Sequence, residues 1–381
     1  MKILILTAAT GGGHIKSANT IKTYFNENTD YEVETLDTLK AVSRIIDKII
    51  CDSYLFMARK APFLFGSLYK HTNQDTRFAQ LVPKLNALLS HYLLYEIRDF
   101  NPDIIIATHH VPAQMVSALK EKSGVTASLL CLITDYGPHR AWIAPYVDHY
   151  IVACEDMIAE LTELGIPNQR VHAYGIPVNR EFFGSYDKAS LRENLGLDPN
   201  LPTVTFMAGS FGVTNIIDLY KEIVLCGTPM QLVVITGKNQ KLYDTFQEVL
   251  SQGTPVPTKL VFFTNEVENY MHASDLLVTK PGGLTVSEAL ASSLPLVMFD
   301  AIPGQEEDNA NFLSRHGMGI RIGKGENLVD VVKRLLDNPD ELAELKKNCA
   351  AFDKSKCLDE ISALCASLPA AALDSKAERV S

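Results

Sequence analysis

Residues 275–300 read DLLVTKPGGLTVSEALASSLPLVMFD. A short apolar run ends at Thr279 and is followed by Lys280-Pro281-Gly282-Gly283. A stretch of helical pattern comes next, and a second apolar run begins at Pro295. Strand, glycine turn, helix and strand make a βαβ unit, which commits its two strands to a parallel sheet. The same alternation continues outward, with strand candidates at 203–208, 231–236, 259–264, 275–279, 295–300 and 319–322. The first half repeats it at 2–8, 31–36, 103–108, 127–133, 149–153 and 171–173. Each run is short, continuous and rich in Ile, Val or Leu, as expected of strands covered on both faces. The expected fold is therefore α/β, with two doubly wound Rossmann-like domains facing across a cleft. The expected boundaries are 1–177 and 178–350, with a soft seam around 175–200. Residues 351–381 follow as a C-terminal helix free to pack back on the first domain, fraying from about 368.

At 381 residues, 46% of them hydrophobic and 21% charged, the chain is long enough to bury two cores. A formal net charge of −10 argues against a non-specific nucleic-acid binder. The seven cysteines are scattered and contain no CxxC, so neither a disulfide framework nor a zinc site is expected, and a reducing cytoplasm fits. At the N-terminus only Ile3–Leu6 is strongly apolar before Thr7, which is too short for a signal peptide. No run approaches the ~18 apolar residues of a membrane span. The expected protein is soluble or peripheral.

In open α/β sheets ligands bind beyond the carboxyl ends of the strands. Gly282 and Gly283 stand there, as do Gly209, Ser210 and Gly212 after the 203–208 run. Both turns suit a diphosphate held by backbone N–H groups, and both are equally readable as plain tight turns. Glu288, five residues into the following helix, is placed for the two hydroxyls of a ribose, or for a solvated helix face. In Pro303–Asn311, Gln305 and Glu306 offer donors and acceptors for sugar hydroxyls, or make a solvated acidic loop. No Asp-x-Asp occurs, so neutralisation of a diphosphate by N–H groups and a helix dipole is favoured over a bound cation.

In the first half, AATGGGHIKSA (8–18) places Gly12, Gly13 and His14 behind a strand. A histidine there can take a proton from a hydroxyl at neutral pH, or simply satisfy its neighbours at a helix start. Asp135, after 127–133, is a rival base, a partner of His14 or a turn residue. His109 and His110 follow 103–108 and reach the same edge, with no role assigned. Between Lys40 and Lys70 a locally basic amphipathic pattern carries Arg44, Lys48, Arg59 and Lys60 and ends in a cluster with Phe63 and Phe65. It suits an anionic membrane surface, or packs as an ordinary core helix with solvated basics.

Three stretches carry a resemblance: ILILTAATGGGHIKSA (3–18), LITDYGPHRAWIAPYVDHYIVAC (132–154) and TKPGGLTVSEALASSLPLVMFDAIPGQEEDNANFL (279–313). They resemble the GT-B glycosyltransferases of the diacylglycerol glycosyltransferase group, which contains monogalactosyldiacylglycerol synthases and processive diacylglycerol β-glucosyltransferases. Peptidoglycan lipid-intermediate N-acetylglucosaminyltransferases are more distant relatives. The resemblance implies an inverting transfer of hexose from UDP-glucose or UDP-galactose to diacylglycerol or a glycosyldiacylglycerol, giving a β-linked glycolipid. It implies Glu288 at the ribose, Gln305 and Glu306 at the hexose, and Gly209, Ser210, Gly212, Gly282 and Gly283 at the diphosphate. Phe263 and Thr264 would meet the uracil. His14 would be the general base beside Asp135, with Gly12, Gly13, His109, His139 and Trp142 on the acceptor side. No cofactor or metal is expected. The basic stretch would dock the protein on the inner face of the cell membrane. The competing expectations are a UDP-N-acetylglucosamine-dependent transferase to another lipid, a UDP-sugar epimerase, and a UDP-sugar-binding sensor without chemistry.

Overall fold

The computed structural model describes residues 1–8, 12–42, 62–73, 81–207, 216–299, 301–323 and 325–369. The chain divides into two compact units, residues 1–177 with 356–381, and residues 178–355.

The first unit is a six-stranded sheet in the order β2-β1-β3-β4-β5-β6. Its strands are β1 (Lys2–Thr7), β2 (Glu32–Asp37), β3 (Ile104–Ala107), β4 (Ser128–Leu132), β5 (His149–Ile151) and β6 (Val171–His172). Every pair is parallel. The central strands β1 and β3 carry Ile3, Ile5, Ile104 and Ile106 with no exposure, as their unbroken apolar runs require. Helices α1 (Gly12–Asn28), α2 (Thr38–Val42), α3 (Pro62–Thr72), α4 (Leu81–Leu89), α5 (His91–Phe100), α6 (His110–Ser123) and α7 (Asp156–Glu163) alternate with or extend the strands. The last helix among the described residues, α16 (Cys357–Ser367), returns to this unit. Its Cys357, Leu358, Ile361, Leu364 and Cys365 join Ile3, Ile21, Phe25 and Leu130 in one core, and the Tyr24 hydroxyl donates to Asp359.

The second unit has the order β12-β11-β10-β7-β8-β9, again all parallel. Its strands are β7 (Thr203–Met207), β8 (Gln231–Ile235), β9 (Thr258–Val261), β10 (Leu276–Thr279), β11 (Leu296–Met298) and β12 (Gly319–Arg321). Around them lie α8 (Lys188–Asn194), α9 (Ile216–Ile223), α10 (Gln240–Ser251), α11 (Val267–Ala273), α12 (Gly283–Ala291), α13 (Gln305–Arg315), α14 (Leu328–Asp337) and α15 (Pro339–Ala351). Several strands are shorter than their apolar runs, among them β5 (His149–Ile151) within 149–153 and β11 (Leu296–Met298) within 295–300. The run 259–264 pairs only through Thr258–Val261, in an edge strand that is half-buried throughout and bonded to β8 alone. Phe263 therefore lies past the strand, 47% exposed.

In each sheet the chain starts at an interior strand and then builds to both sides. The order reverses between β1 and β3 in the first unit, and between β7 and β10 in the second. Such a reversal opens a crevice at the strands' carboxyl ends, where open α/β sheets take ligands.

Candidate active site

In the first unit the crevice is bridged by His14. Gly12 and Gly13 are the first two residues of α1, so they are part of the helix start rather than a loop before it. Two residues on, the His14 ring turns toward the end of β3, where its Nδ1 lies 2.9 Å from the Thr108 carbonyl and 2.9 Å from Thr134 Oγ1. The Thr108 hydroxyl returns a bond to the His14 carbonyl at 3.2 Å. A carbonyl only accepts, so Nδ1 must carry the ring proton and Nε2 the lone pair. That Nε2 makes no hydrogen bond to any described residue. Burial pushes the imidazole down to about 4, against a smaller upward pull from the Thr108 carbonyl. The ring is neutral at pH 7, oriented from behind, with its basic nitrogen open.

Two more aromatic rings, His109 and Trp142, pack against it. His109 caps α6 by accepting from Val111 N–H at 3.1 Å, and its ring meets His14 edge-on at 4.7 Å. Trp142, 5% exposed in a short 3-10 turn (Arg140–Trp142), lies 6.2, 6.1 and 5.8 Å from the rings of His14, His109 and His110. His139 has both nitrogens engaged. Nδ1 accepts from Ala141 N–H at 3.0 Å, and Nε2, which must then carry the proton, donates to the Tyr69 carbonyl at 3.0 Å. His139 thus ties α3 to the Trp142 turn, a bracing task within the protein. Asp135 follows Thr134 and is partly buried. The groups bonded to His14 Nδ1 are the Thr108 carbonyl and the Thr134 hydroxyl.

In the second unit the reversal between β7 and β10 is faced by the start of α12, with Gly282 as its cap in extended backbone and Gly283 as its first residue. The free N–H groups and positive dipole end of that helix point out of the strand ends. Glu288 is 3% exposed on the same helix, so the solvated-face alternative does not hold. Helix α13 begins nearby at Gln305, after Gly304, whose φ of +107° only glycine adopts without strain. Glu306 is 5% exposed and its Oε2 accepts from Ile302 N–H at 2.7 Å. Glu307 Oε1 accepts from Arg321 at 2.8 Å. The Pro303–Asn311 stretch is therefore a built helix start with buried members, not a solvated acidic loop. At the edge, Lys238 Nζ sits 4.7 Å from the centre of the Phe263 ring, and Thr264 Oγ1 accepts from Glu266 N–H at 2.9 Å.

Some of these positions are invisible in the sequence. Thr108 and Thr134 hold His14, but a backbone carbonyl has no sequence signature and Thr134 reads as the end of a strand. Asn309 is fully buried in α13 and donates through Nδ2 to the Pro281 carbonyl at 2.9 Å, clamping α13 to the glycine turn. Its place inside the Pro303–Asn311 stretch was the only hint. Replacing Asn309 by alanine is expected to cost about 1–3 kcal/mol of stability in this unit, as read by chemical denaturation.

Gly209, Ser210, Gly212, Arg44, Lys48, Arg59 and Lys60 lie outside the described residues, and the side chains of Phe63 and Phe65 are likewise outside them.

Comparison with known proteins places this geometry. Residues 14–178 match the family model of monogalactosyldiacylglycerol (MGDG) synthase, and residues 203–361 match the glycosyltransferase family 28 C-terminal domain. A processive diacylglycerol β-glucosyltransferase of Staphylococcus epidermidis (strain ATCC 12228) is 30% identical over 348 residues, covering 90% of this chain and 86% of the relative. The Bacillus subtilis (strain 168) protein of the same name is 27% identical over 354 residues, covering 91% and 90%. Among solved structures, Acinetobacter baumannii MurG aligns with a TM-score of 0.63 at 14% identity, over 96% of this chain and 99% of that one. Anabaena HepE in complex with UDP aligns with a TM-score of 0.57 at 16% identity, over 97% and 100%. A Neisseria meningitidis UDP-GlcNAc 2-epimerase aligns with a TM-score of 0.60 at 14% identity, over 97% and 100%. At these identities the structural matches establish the fold, which is GT-B. The sequence match goes further: the chain belongs to the diacylglycerol glycosyltransferase family, alongside the processive diacylglycerol β-glucosyltransferases.

Proposed function

We propose that this protein transfers a hexose from UDP-glucose or UDP-galactose to the free hydroxyl of diacylglycerol, or of a glycosyldiacylglycerol, with inversion to a β-linked glycolipid. The observation that carries the proposal is His14. It is neutral, fixed through Nδ1 by Thr108 and Thr134, and open at Nε2 in the crevice of the first sheet. Nε2 takes the proton of the acceptor hydroxyl as that oxygen attacks the anomeric carbon. The bond from the anomeric carbon to the diphosphate oxygen breaks on the opposite face, and UDP leaves with the electron pair.

The second unit supplies the donor groups. The start of α12 at Gly282 and Gly283, together with Gly209, Ser210 and Gly212, meets the diphosphate, and Glu288 the ribose. Gln305 and Glu306 meet the hexose. Phe263 and Thr264 meet the uracil. On the first unit Gly12, Gly13, His109 and Trp142 line the acceptor side, His139 supports them from behind, and Asp135 is the second candidate base at that edge, or a partner of His14. The leaving diphosphate is stabilised by fixed N–H groups and helix dipoles. No metal ion takes part in this account: with excess chelator, turnover is expected to be unchanged, and a loss restored by a divalent cation would overturn it.

Among the described residues no helix is long and apolar enough to cross a membrane. The proposal therefore places contact with the lipid in the basic stretch between Lys40 and Lys70, on the inner face of the cell membrane. Labelled UDP-glucose and UDP-galactose, offered with and without vesicles containing diacylglycerol, test the whole reading. A β-linked lipid product formed only with vesicles supports it. Isomerised sugar without lipid would make the protein an epimerase, and binding without turnover a sensor.

A further inference from the structure

His110, the first residue of α6, has no part in the chemistry above. Its ring is packed between two of the rings around His14: it lies 4.3 Å from His109 at 30°, and edge-on to Trp142 at 5.8 Å and 82°. Its Nδ1 is sealed from solvent with no hydrogen-bond partner, while Nε2 is not sealed. A neutral imidazole has one N–H to place, and a buried N–H without an acceptor is the rarer and costlier arrangement. The proton therefore belongs on Nε2. Burial, with the neighbouring His14 and His139, pushes the ring down to about 3, so it stays neutral over the working pH range. His14 and His110 are then complementary around shared neighbours. One presents a bare Nε2 that takes a proton, the other an Nε2–H that donates a hydrogen bond.

We propose that His110 Nε2–H holds the acceptor, donating to the oxygen next to the hydroxyl that His14 deprotonates. In diacylglycerol that neighbour is an ester oxygen, and in a glycosylated acceptor it is a vicinal hydroxyl or, beside the primary hydroxyl, the ring oxygen; all of these accept a hydrogen bond. A lone general base fixes one atom of a flexible glycerol. A donor aimed at the adjacent oxygen fixes the rotation about the carbon–carbon bond and so the line of attack. This inference rests on the transfer reaction proposed above.

The test compares His110→Phe, which keeps a ring and removes the donor, with His110→Gln, which keeps a donor. His110→Phe is expected to raise the KM for diacylglycerol about 3- to 10-fold, with UDP affinity and acceptor-independent hydrolysis of UDP-sugar unchanged. His110→Gln is expected to recover most of the loss. An unaltered KM in His110→Phe, or a Gln variant no better than the Phe variant, overturns the inference and leaves the transferase reading intact. Absence of lipid product from the wild-type protein overturns the reading itself and this inference with it. Nitrogen-15 NMR of histidine-labelled wild-type protein gives a check that needs no variant to fold. The Nε2–H tautomer is expected for His110, with its Nε2 signal moving on addition of a short-chain diacylglycerol. The Nδ1–H tautomer, or an unmoved signal, overturns the inference.

Discussion

Replacing His14 by alanine is expected to lower kcat by about 10²–10⁴-fold, the range for loss of a positioned general base, while UDP binding on the second unit is retained. The two readouts separate lost chemistry from lost folding. The pH profile gives a sharper signature. The base must be unprotonated to act, and burial brings its pKa down to about 4. The kcat/KM of the wild-type protein should thus be flat from neutral pH downward and fall only as pH approaches about 4. An acid limb near 6.5, the ordinary histidine value, would show that the acting base is not His14 in this environment. The same depression weakens folding in acid. Unfolded histidine takes a proton near pH 6.5 that the folded ring refuses until about 4. Its stabilising contribution is complete above the unfolded value and is lost as pH falls toward the folded one. The acid limb should therefore be measured as initial rates on protein whose signal returns on neutralisation. A Thr134→Val variant removes one of the two groups on Nδ1 and leaves the Thr108 carbonyl, so its effect on kcat should be much smaller than that of His14→Ala.

The largest expected loss of stability lies at the other end of the second sheet. Asp275 precedes β10 at its amino end and gathers three cations from distant parts of the chain. Arg192 Nη2 is 2.5 Å from Oδ2, while Lys188 and Lys346 Nζ are 3.1 and 3.0 Å from Oδ1. Thr203 N–H donates to Oδ2 at 2.9 Å, and Arg192 also donates to the carbonyls of Ala273 and Pro199 at 2.9 and 3.1 Å. Burial alone would push the Asp275 carboxyl up. Lys188, Lys346, the Thr203 N–H and Arg192 outweigh it and hold the group well below the usual carboxylate range. Asp275→Ala leaves three cations and a buried N–H facing one another, and breaking a buried pair from one side costs about 3–5 kcal/mol. We expect a loss of that order in urea or thermal unfolding of the second unit, with Asp275→Asn intermediate because it keeps the acceptor for Thr203. The sign with pH follows from the depressed pKa. The contribution is whole above about 3.9, the unfolded aspartate value, and disappears only as pH falls below it toward the folded value. A variant as stable as the wild type would show that the cluster is held by its packing alone.

The fold was legible because parallel strands covered on both faces must be apolar at every position. Runs such as Ile3–Leu6 and Ile104–Ala107 therefore stand out from any helix around them. The runs 259–264 and 295–300 show the limit, since only Thr258–Val261 and Leu296–Met298 pair. An apolar run marks where a strand can form, but pairing decides where it stops. The candidate site was legible at the level of position. His14, Gly282, Gly283, Gln305 and Glu306 all follow strands, and strand ends are where such sheets bind ligands. The local roles were less so. Gly12 and Gly13 are equally consistent with a loop or a helix start, and only the N–H ladder of α1 places them in the helix.

The sequence by itself determined the alternation of strand and helix, the parallel pairing that follows from it, and which residues stand at the strand ends. Each of those is a consequence of local periodicity and chain connectivity. The tertiary structure decided which nitrogen of His14 is basic, because that depends on the Thr108 carbonyl, 94 positions away. It decided that His139 is occupied by Tyr69 and Ala141 while the buried His110 Nδ1 has no hydrogen-bond partner. It also brought residues 188, 192 and 346 around Asp275. Protonation state, tautomer and charge pairing are set by the atoms within a few ångströms, and in a doubly wound sheet those atoms come from segments far apart along the chain.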